Sequence, residues 1–494
     1  MKFQSTRDKS AAKLSAAQVI KQGLAADGGL FVPESIPQLT KADIEALCGM
    51  DYPARAAFIL GKYLTDYTAE ELTEDCQNAY APTSFVGGAA PLYSLGDGTE
   101  VMELWHGPTA AFKDMALQIM PRLLSRALVK TGETRTALIL VATSGDTGKA
   151  ALEGYRDIDR IKIMVFYPVN GVSTVQKLQM QTQLGDNVNV TAIHGNFDDA
   201  QTGVKRIFGN ADIAAELDRN GYFLSSANSI NWGRLAPQIV YYVSAYCDLL
   251  SAGKIAYGDK VNVTVPTGNF GNIFAAYLAK LMGLPLGRLI CASNKNNILT
   301  DFLHTGTYDR NRAFHLTMSP SMDILISSNL ERLLYFVAGP EKTADYMKQL
   351  AETGAYTVDA ETKAKIDESF KGYFADEADT AATIRTTMQD KGYLIDTHTA
   401  VAVSAAAQYR SESGDSRPMI VASTASPYKF AADVYTSLFD ERAESDLAAL
   451  DLLSAKTGTE ITYPLRGIGT RAVRFEDVVD ATEMADAMFA YLKA

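Results

Sequence analysis

The stretch TALILVATSGDTGKAALEGY, residues 136–155, joins a β-rich apolar run to a segment of helical character. Similar β-rich runs recur along the chain, with helical segments such as GNIFAAYLAKLMG between them. These runs are IKIMVFYP at 161–168, VNVTAIHG at 188–195, VNVTVPTG at 261–268, RLICAS at 288–293 and PMIVAST at 418–424. Alternation of strand and helix is typical of parallel sheets built from βα units. The sequence therefore predicts an α/β fold with parallel sheets.

The length predicts more than one domain. A chain of 494 residues exceeds what a single hydrophobic core usually organises. Residues 1–90 are interpreted as an N-terminal appendage, and we place one α/β domain at 91–235 and a larger one at 236–494. Such an arrangement provides a cleft between domains.

Three local patterns refine this organisation. In PLYSLGDGTEVMELW, residues 91–105, the GDG separates two strand-like runs, which predicts a hairpin. An apolar helical face runs from Lys113 to Leu128 but contains Pro121, so a kink or a later helix start is expected. Residues 340–392 are charged, helical in character and poor in strand signal, which predicts an outer helical insertion.

Composition argues against several classes of function. The formal net charge is -12 and no run of Lys and Arg is present, so neither nucleic acid nor an anionic membrane is expected as a partner. The N-terminal stretch lacks the apolar run of a secretory signal, so we expect a cytoplasmic protein. The cysteines and histidines show no metal-ligand spacing, and no metal is predicted; they are Cys48, Cys76, Cys247, Cys291, His106, His194, His304, His315 and His398.

Two of the strand-to-helix junctions are candidate ligand sites, because strand ends and helix N-termini meet there. VATSGDTGKAA at 141–151 contains GK, but Thr143 and Ala150 replace residues that a P-loop requires. Taken alone, this segment is better explained by a plain βα turn capped by Asp146 or Thr147. TVPTGNFGNIFAAYLAK at 264–280 offers a Gly- and Asn-rich loop that can hold a phosphate with main-chain amides, although ordinary turn chemistry also accounts for it.

A lysine supplies the third candidate. In WHGPTAAFKDMALQ, residues 105–118, Lys113 stands beside Phe112 and Met115. A partly apolar setting lowers the pKa of an ammonium group and suits a lysine that forms a Schiff base. A solvated lysine at a helix start is the alternative. A lysine, a phosphate loop and a polar substrate loop together are what a pyridoxal-phosphate site requires.

At these residues the chain resembles a known family. HGPTAAFKD at 106–114, ATSGDTG at 142–148 and PTGNFGN at 266–272 resemble the tryptophan-synthase-β-like group of fold type II pyridoxal-phosphate enzymes, and within it the long form of threonine synthase. The resemblance runs nearly from end to end. It includes STRD at 5–8, LAADGGLFVPESIP at 24–37, SSANSINWGRLAPQ at 225–238, SPSMDILISSNLERLLY at 319–335, DTHTAVAV at 396–403 and STASPYKF at 423–430.

The resemblance implies roles for particular residues. Lys113 would hold the cofactor covalently, and Thr424, with Ser423 as second choice, would face the pyridine nitrogen. Asp146 would lie beside the cofactor's 3-hydroxyl group. The cofactor phosphate would be bound by Gly268, Asn269, Phe270, Gly271 and Asn272. The substrate carboxylate would be bound by Thr143, Ser144, Gly145 and Thr147, and the substrate phosphate by Asn228, Ser229 and Arg234.

The resemblance also implies a reaction. It is the conversion of O-phospho-L-homoserine and water to L-threonine and phosphate by γ-elimination and β-hydration, in a monomer or homodimer. Two alternatives stay open: a lyase of the same fold that yields 2-oxobutyrate, and a catalytically silent relative that binds a metabolite. Asn297 and Ser426 depart from the family pattern, where an acidic residue and a histidine are expected.

Overall fold

The structure is a computed structural model that describes residues 1–8, 10, 12–143 and 145–493. Its strands are β1 (Phe3–Ser5), β2 (Phe31–Pro33), β3 (Leu92–Gly96), β4 (Thr99–Glu103), β5 (Thr136–Ala142), β6 (Ile161–Pro168), β7 (Val188–His194), β8 (Tyr222–Ser225), β9 (Val261–Pro266), β10 (Leu286–Ser293), β11 (Thr307–Asp309), β12 (Ala355–Thr357), β13 (Phe370–Phe374), β14 (Met419–Ser423) and β15 (Val478–Asp480).

The helices are α1 (Ala16–Gln22), α2 (Lys41–Cys48), α3 (Tyr52–Tyr63), α4 (Ala69–Ala79), α5 (Asp114–Leu117), α6 (Met120–Lys130), α7 (Asp146–Tyr155), α8 (Thr174–Gln181), α9 (Phe197–Gly209), α10 (Ala211–Arg219), α11 (Trp232–Leu235), α12 (Pro237–Ser251), α13 (Gly271–Leu281), α14 (Ile298–Thr305), α15 (Leu330–Ala338), α16 (Pro340–Thr353), α17 (Ala360–Asp367), α18 (Glu377–Lys391), α19 (Thr397–Ser413), α20 (Ala431–Phe439), α21 (Asp446–Thr457) and α22 (Met484–Lys493). Short 3₁₀ turns lie at Pro320–Met322, Pro427–Phe430, Tyr463–Leu465 and Ile468–Thr470.

Two sheets organise the molecule. The larger has the strand order β13-β10-β9-β14-β4-β3, and the smaller has the order β15-β7-β6-β5-β8. Pairing is parallel in both sheets except at β3, which pairs antiparallel with β4 across the predicted GDG turn. Every residue of β9 is buried, as expected for a strand covered on both faces. The predicted pair of parallel-sheet α/β units is confirmed.

The chain crosses between the sheets more often than the sequence indicates. β3 and β4 precede residue 235 but belong to the larger sheet, and β15, near the C-terminus, completes the edge of the smaller one. A division at 235–236 therefore does not separate the strands of the two sheets. This crossing brings the residues between β4 and α5, which include Lys113, to the junction of the sheets.

Local sequence explains where several helices start and break. Ser15, Thr40 and Thr68 each cap a helix with the side chain while the third helical residue bonds back, the reciprocal capping box. The apolar face after Lys113 is divided into α5 and α6, and Pro121 occupies the first turn of α6, where its missing N–H is harmless. The break predicted from Pro121 is thus confirmed.

The segment 340–392 is only partly as predicted. It forms α16, α17 and α18, but it also contains two strands: β12 pairs antiparallel with β11, and β13 pairs in parallel with β10 at the edge of the larger sheet. The strand β13 was not expected, and FKGYF buries three of its five residues against the sheet. Within the described residues, no helix is both long enough and apolar enough to cross a bilayer.

Candidate active site

Three groups of predicted site residues each lie at the carboxyl end of a parallel strand. Residues 143–147 follow β5 in the smaller sheet, residues 268–272 follow β9 and Thr424 follows β14 in the larger one. Because β9 and β14 are neighbours, their carboxyl ends lie together, and the main-chain N–H of Phe112 donates to the Thr424 carbonyl at 2.8 Å. The fold therefore brings Lys113 beside both strand ends.

Lys113 is a buried amine at the start of α5, with 8% of its surface exposed. Its Nζ donates to Asp146 Oδ2 at 3.2 Å and to Ser321 Oγ at 3.4 Å, and it lies 5.0 Å from the centre of the Phe112 ring. Burial lowers the pKa of this amine, nearby Asp146 raises it, and the positive charges of Lys429 and Arg234 lower it further. A lowered pKa is the direction expected of an amine that forms a Schiff base.

Asp146 is the electrostatic centre of the site. Its Oδ2 accepts from Lys113 and from Ser321 Oγ at 3.0 Å, while its Oδ1 accepts from Gln176 Nε2 at 2.8 Å and pairs with Lys429 Nζ at 3.0 Å. Burial alone raises the pKa of this carboxyl, but Lys429 and Lys113 outweigh that effect, so its pKa falls well below the ordinary value. The two neighbouring ammonium groups therefore stabilise the ionised form of this carboxylate.

The loop 143–147 is shaped to place Asp146 at the first turn of α7. The Thr143 hydroxyl accepts from the N–H groups of Gly145 and Gly148, both at 3.0 Å. Gly145 has φ 141°, and a Cβ on it would lie 2.6 Å from the Gln176 side chain. Thr147 is half-buried in that first turn, and Ser144 lies outside the described residues. The predicted βα turn is present and directs the Asp146 carboxylate toward Lys113, but the predicted cap is wrong, because the N-cap is Gly145 and no side chain bonds there.

The loop 268–272 has free main-chain donors ahead of α13. The N–H groups of Gly268, Asn269 and Phe270 donate to no described acceptor, although the carbonyls of Gly268 and Asn269 accept from Ser327 and Asn329. Phe270 has φ 63°, a left-handed conformation that turns successive amides to one side. These donors at a helix N-terminus form a cradle that fits a phosphate dianion.

Asn272 extends the same cradle. Its Oδ1 accepts from the hydroxyl groups of Tyr241 and Tyr242, whereas its Nδ2 is buried and has no partner among the described residues. An orphaned donor in a buried position calls for an acceptor that the described protein atoms do not supply.

The two hydroxyls at the end of β14 differ in their partners. Ser423 Oγ accepts from Trp105 Nε1 at 3.0 Å and lies 3.0 Å from Thr399 Oγ1, so its capacity is used within the protein. The Thr424 hydroxyl forms no hydrogen bond with any described residue, although Thr424 is only 5% exposed. This difference favours Thr424 over Ser423 as the hydroxyl available to a ligand.

Arg234 is a buried guanidinium group that lacks an anionic partner. It lies on the short helix α11, is 6% exposed, and donates from Nη1 to the Ala227 carbonyl at 2.7 Å. No carboxylate in the described part of the chain pairs with it, and burial lowers its pKa to about 10. Its charge affects the pKa of Lys113, so the two cations share one neighbourhood. An anionic ligand there would neutralise an otherwise unpaired buried charge.

Asn228 and Ser229 are less enclosed than Arg234. Asn228 is exposed, and its Oδ1 accepts from the Ile230 N–H at 3.2 Å. Ser229 is half-buried, and its carbonyl accepts from Asn329 Nδ2 at 3.4 Å. Because the same Asn329 amide donates to the Asn269 carbonyl at 3.0 Å, it links this segment to the loop 268–272.

The sequence prediction missed several residues of the site. Lys429, Gln176 and Ser321 all contact Asp146, yet they had no predicted role. Two of them stand in segments that resemble the family, since Ser321 lies in SPSMDIL and Lys429 in STASPYKF. The sequence signal that could have identified these two residues is a charged or hydroxyl side chain inside a segment that resembles the family.

The two departures from the family pattern have structural partners. Asn297 precedes α14; its Nδ2 donates to Asp301 Oδ1 and its Oδ1 accepts from Arg312 Nη1, both at 3.4 Å. Ser426 is fully buried, and its Oγ accepts from the Tyr428 N–H at 3.3 Å, which caps the 3₁₀ turn that carries Lys429.

Comparison with known proteins gives the class to which this chain belongs. The family described as "Pyridoxal-phosphate dependent enzyme" matches residues 101–424, so the fold and the site define a pyridoxal-phosphate enzyme of fold type II. "Threonine synthase N terminus" matches residues 2–80, and "Threonine synthase, C-terminal" matches residues 399–481. The chain belongs to the threonine synthase family.

Individual relatives support the same placement. Threonine synthase of Pseudomonas aeruginosa is 40% identical over 437 residues, which cover 87% of this chain and 89% of that protein. The crystal structure of PLP-bound threonine synthase from Brucella melitensis is 36% identical, covers 100% of both chains and has a TM-score of 0.87. Threonine synthase-like 1 of Homo sapiens is 40% identical over 89% of this chain, which spans 60% of that protein's length.

Proposed function

We propose that this protein converts O-phospho-L-homoserine and water to L-threonine and phosphate. The observation that carries the proposal is the buried Arg234, which pairs with no described carboxylate and lies on helix α11, which packs against α5, at whose start Lys113 lies. A substrate with a phosphate at one end and an α-amino acid at the other complements these two groups. Threonine synthases and threonine synthase-like 1 proteins are similar to this chain, and the unpaired guanidinium favours a phosphate-bearing substrate.

The described residues fit pyridoxal 5'-phosphate. Lys113 would attach it, the amides of 268–272 with Asn272 Nδ2 would bind its phosphate, and Thr424 would donate to its ring nitrogen. Asp146, ionised between Lys113 and Lys429, would lie beside its 3-hydroxyl. When bound, this cofactor supplies an electron sink for the bond-breaking steps at the substrate.

The chain's own residues would handle protons and charge. The Lys113 amine, once displaced by the substrate amine, would act as the base that removes the Cα and Cβ protons. Arg234, with Asn228 and Ser229, would hold the γ-phosphate as it leaves. The loop 143–147 would bind the carboxylate and so fix the direction in which the protons depart.

The test is a product analysis with O-phospho-L-homoserine. We expect threonine and phosphate in equal amounts, with no ammonia, and no turnover by Lys113→Ala. Arg234→Met removes the guanidinium group that would hold the substrate phosphate, and Arg206→Met, which alters an exposed arginine, is its control. Ammonia and 2-oxobutyrate in place of threonine would identify a lyase instead, and the absence of any turnover by a protein that binds the cofactor would identify a silent relative.

The sequence predictions of a cytoplasmic location and of a monomer or homodimer extend this proposal. The domain limits at 90 and 235 likewise stay predictions.

A further inference from the structure

Ser321 stands between the two charged groups at the centre of the site. It lies in the 3₁₀ turn Pro320–Met322, and its Oγ is 3.4 Å from Lys113 Nζ and 3.0 Å from Asp146 Oδ2. Since the carboxylate can only accept, the Ser321 hydroxyl donates to Asp146 and turns its lone pairs toward the amine. The Ser321 hydroxyl and the Asp146 carboxylate together hold the Lys113 amine in place.

The main chain of Ser321 is held from two sides. Its N–H donates to His398 Nε2 at 3.1 Å. Its carbonyl would lie only 2.9 Å from a Cβ built on Gly268, so the turn also packs closely on the loop 268–272. Small displacements of this turn would therefore move the hydroxyl relative to Lys113.

His398 is fixed in one tautomer by a buried acid. It is 3% exposed, and its Nδ1 lies 3.2 Å from Asp396 Oδ1, a fully buried carboxylate that also accepts from the main-chain N–H of His398 at 2.8 Å. Because a carboxylate offers only acceptors, the ring proton lies on Nδ1. Nε2 is then left as the acceptor that the Ser321 N–H requires.

We propose that Asp396 and His398 are positioning residues that fix Ser321, and that the Ser321 hydroxyl orients the Lys113 amine for proton transfer. The inference rests on the proposed role of Lys113 as the cofactor lysine and base. Neither Asp396 nor His398 hydrogen-bonds Lys113 or Asp146 among the described residues, and His398 connects to them through the main-chain N–H of Ser321. This role accounts for the chain of contacts from Asp396 through His398 and Ser321 to the Lys113 amine, which must return to the same position after every turnover.

Two substitutions of one residue separate positioning from a merely structural role. His398→Gln can place its amide oxygen where Nε2 accepts from Ser321 but loses the contact with Asp396. His398→Asn can keep a donor for Asp396 but leaves the Ser321 N–H without an acceptor. His194→Gln, at an exposed histidine, is the matched control.

The readout is proton exchange at Cα of L-2-aminobutyrate in D₂O, followed by proton NMR on the cofactor-loaded enzyme. This amino acid has no leaving group, so exchange reports the Lys113 base independently of threonine formation. We expect His398→Asn and Ser321→Ala to slow exchange on the order of 10–100-fold, because a misplaced base transfers protons poorly. His398→Gln should stay within about threefold of the native rate, since it keeps the acceptor. The visible absorption of the bound cofactor should be retained in all variants.

A double variant makes the coupling explicit. If His398 acts through Ser321, the double variant of His398→Asn with Ser321→Ala should be no slower than Ser321→Ala alone. Equal exchange rates for His398→Gln and His398→Asn would overturn the inference. So would a double variant in which the losses of exchange rate from the two single variants add. Normal exchange in an enzyme that releases no threonine from O-phospho-L-homoserine would instead contradict the proposed function alone.

A second measurement needs no stable His398 variant. In the ¹⁵N spectrum of histidine-labelled native protein, the His398 ring can be assigned by replacing the other four histidines one at a time. We expect a neutral ring with its proton on Nδ1. A proton on Nε2, or on both nitrogens at neutral pH, would contradict the acceptor role and overturn the inference.

Discussion

Arg234→Met removes the guanidinium group while keeping most of the side-chain volume. In the structure this group has one protein partner, the Ala227 carbonyl, and no described carboxylate. Burial lowers its pKa from the ordinary 12.5 to about 10, which corresponds to about 3 kcal/mol of unfavourable burial of the charge. The proposed partner that offsets this burial is the substrate phosphate.

The substitution should therefore affect substrate binding and the free energy of unfolding differently. Loss of a charge-assisted hydrogen bond should weaken O-phospho-L-homoserine binding by about 1.5–3 kcal/mol, or about 10–150-fold. The free energy of unfolding of the substrate-free protein should instead stay the same or rise by up to about 1.5 kcal/mol, because relief of about 3 kcal/mol of buried charge offsets the loss of about 1.5–3 kcal/mol from the charge-assisted bond to Ala227. The substitution should therefore separate stability from binding.

Calorimetric titration with O-phospho-L-homoserine gives the affinity, and denaturant unfolding with and without inorganic phosphate gives the stability. Phosphate should stabilise the native protein and the control Arg206→Met, but not Arg234→Met. The visible absorption of the bound cofactor should be unchanged, since Lys113 is intact. Unchanged substrate affinity, together with an unchanged effect of phosphate, would refute the assignment of Arg234.

Further predictions concern three other groups. Thr424→Asp should shift the visible absorption of the bound cofactor, because a carboxylate favours a protonated ring nitrogen; a larger shift from Ser423→Asp would mean that the wrong hydroxyl was named. Burial raises the pKa of Asp114 to about 6, so the stability contributed by its protonated form is present below about pH 4 and is lost as the pH rises through 6. In urea unfolding, Asp114→Asn should remove the resulting decrease of about 3 kcal/mol in the free energy of unfolding. The same pH dependence in the variant and the native protein would contradict this. Lys429→Met should lower the free energy of unfolding by about 1–3 kcal/mol in the same assay, and adding Asp146→Asn should restore part of the loss; no recovery would argue against their pairing.

Periodicity and composition were sufficient for the strands that are apolar along their length. The six runs identified from TALILVA to PMIVAST all form parallel strands. Tyr222–Ser225 and Val478–Asp480 escaped notice because they are short, partly exposed edge strands, and Phe370–Phe374 because charged helical segments flank it. Edge strands carry a weaker apolar signal, since neighbours cover less of them.

The site could be predicted one segment at a time, but its pairings could not. Lys113 and Asp146 meet because the chain places β4 in one sheet and β5 in the other, which no local pattern records. Lys429 reaches the same carboxylate from more than 280 residues further along, on a turn capped by Ser426. Such contacts depend on tertiary placement, so sequence reasoning identified the lysine and the loops but not the charges that set their pKa values.

The most direct test of the account is to locate the lysine that holds the cofactor. Borohydride reduction of the native protein, followed by digestion and peptide mass analysis, fixes a pyridoxyl group on whichever lysine carries it. We predict the label on Lys113 alone, on the peptide that contains HGPTAAFKD. A label on Lys429, on Lys149 or on any other lysine would contradict the central claim.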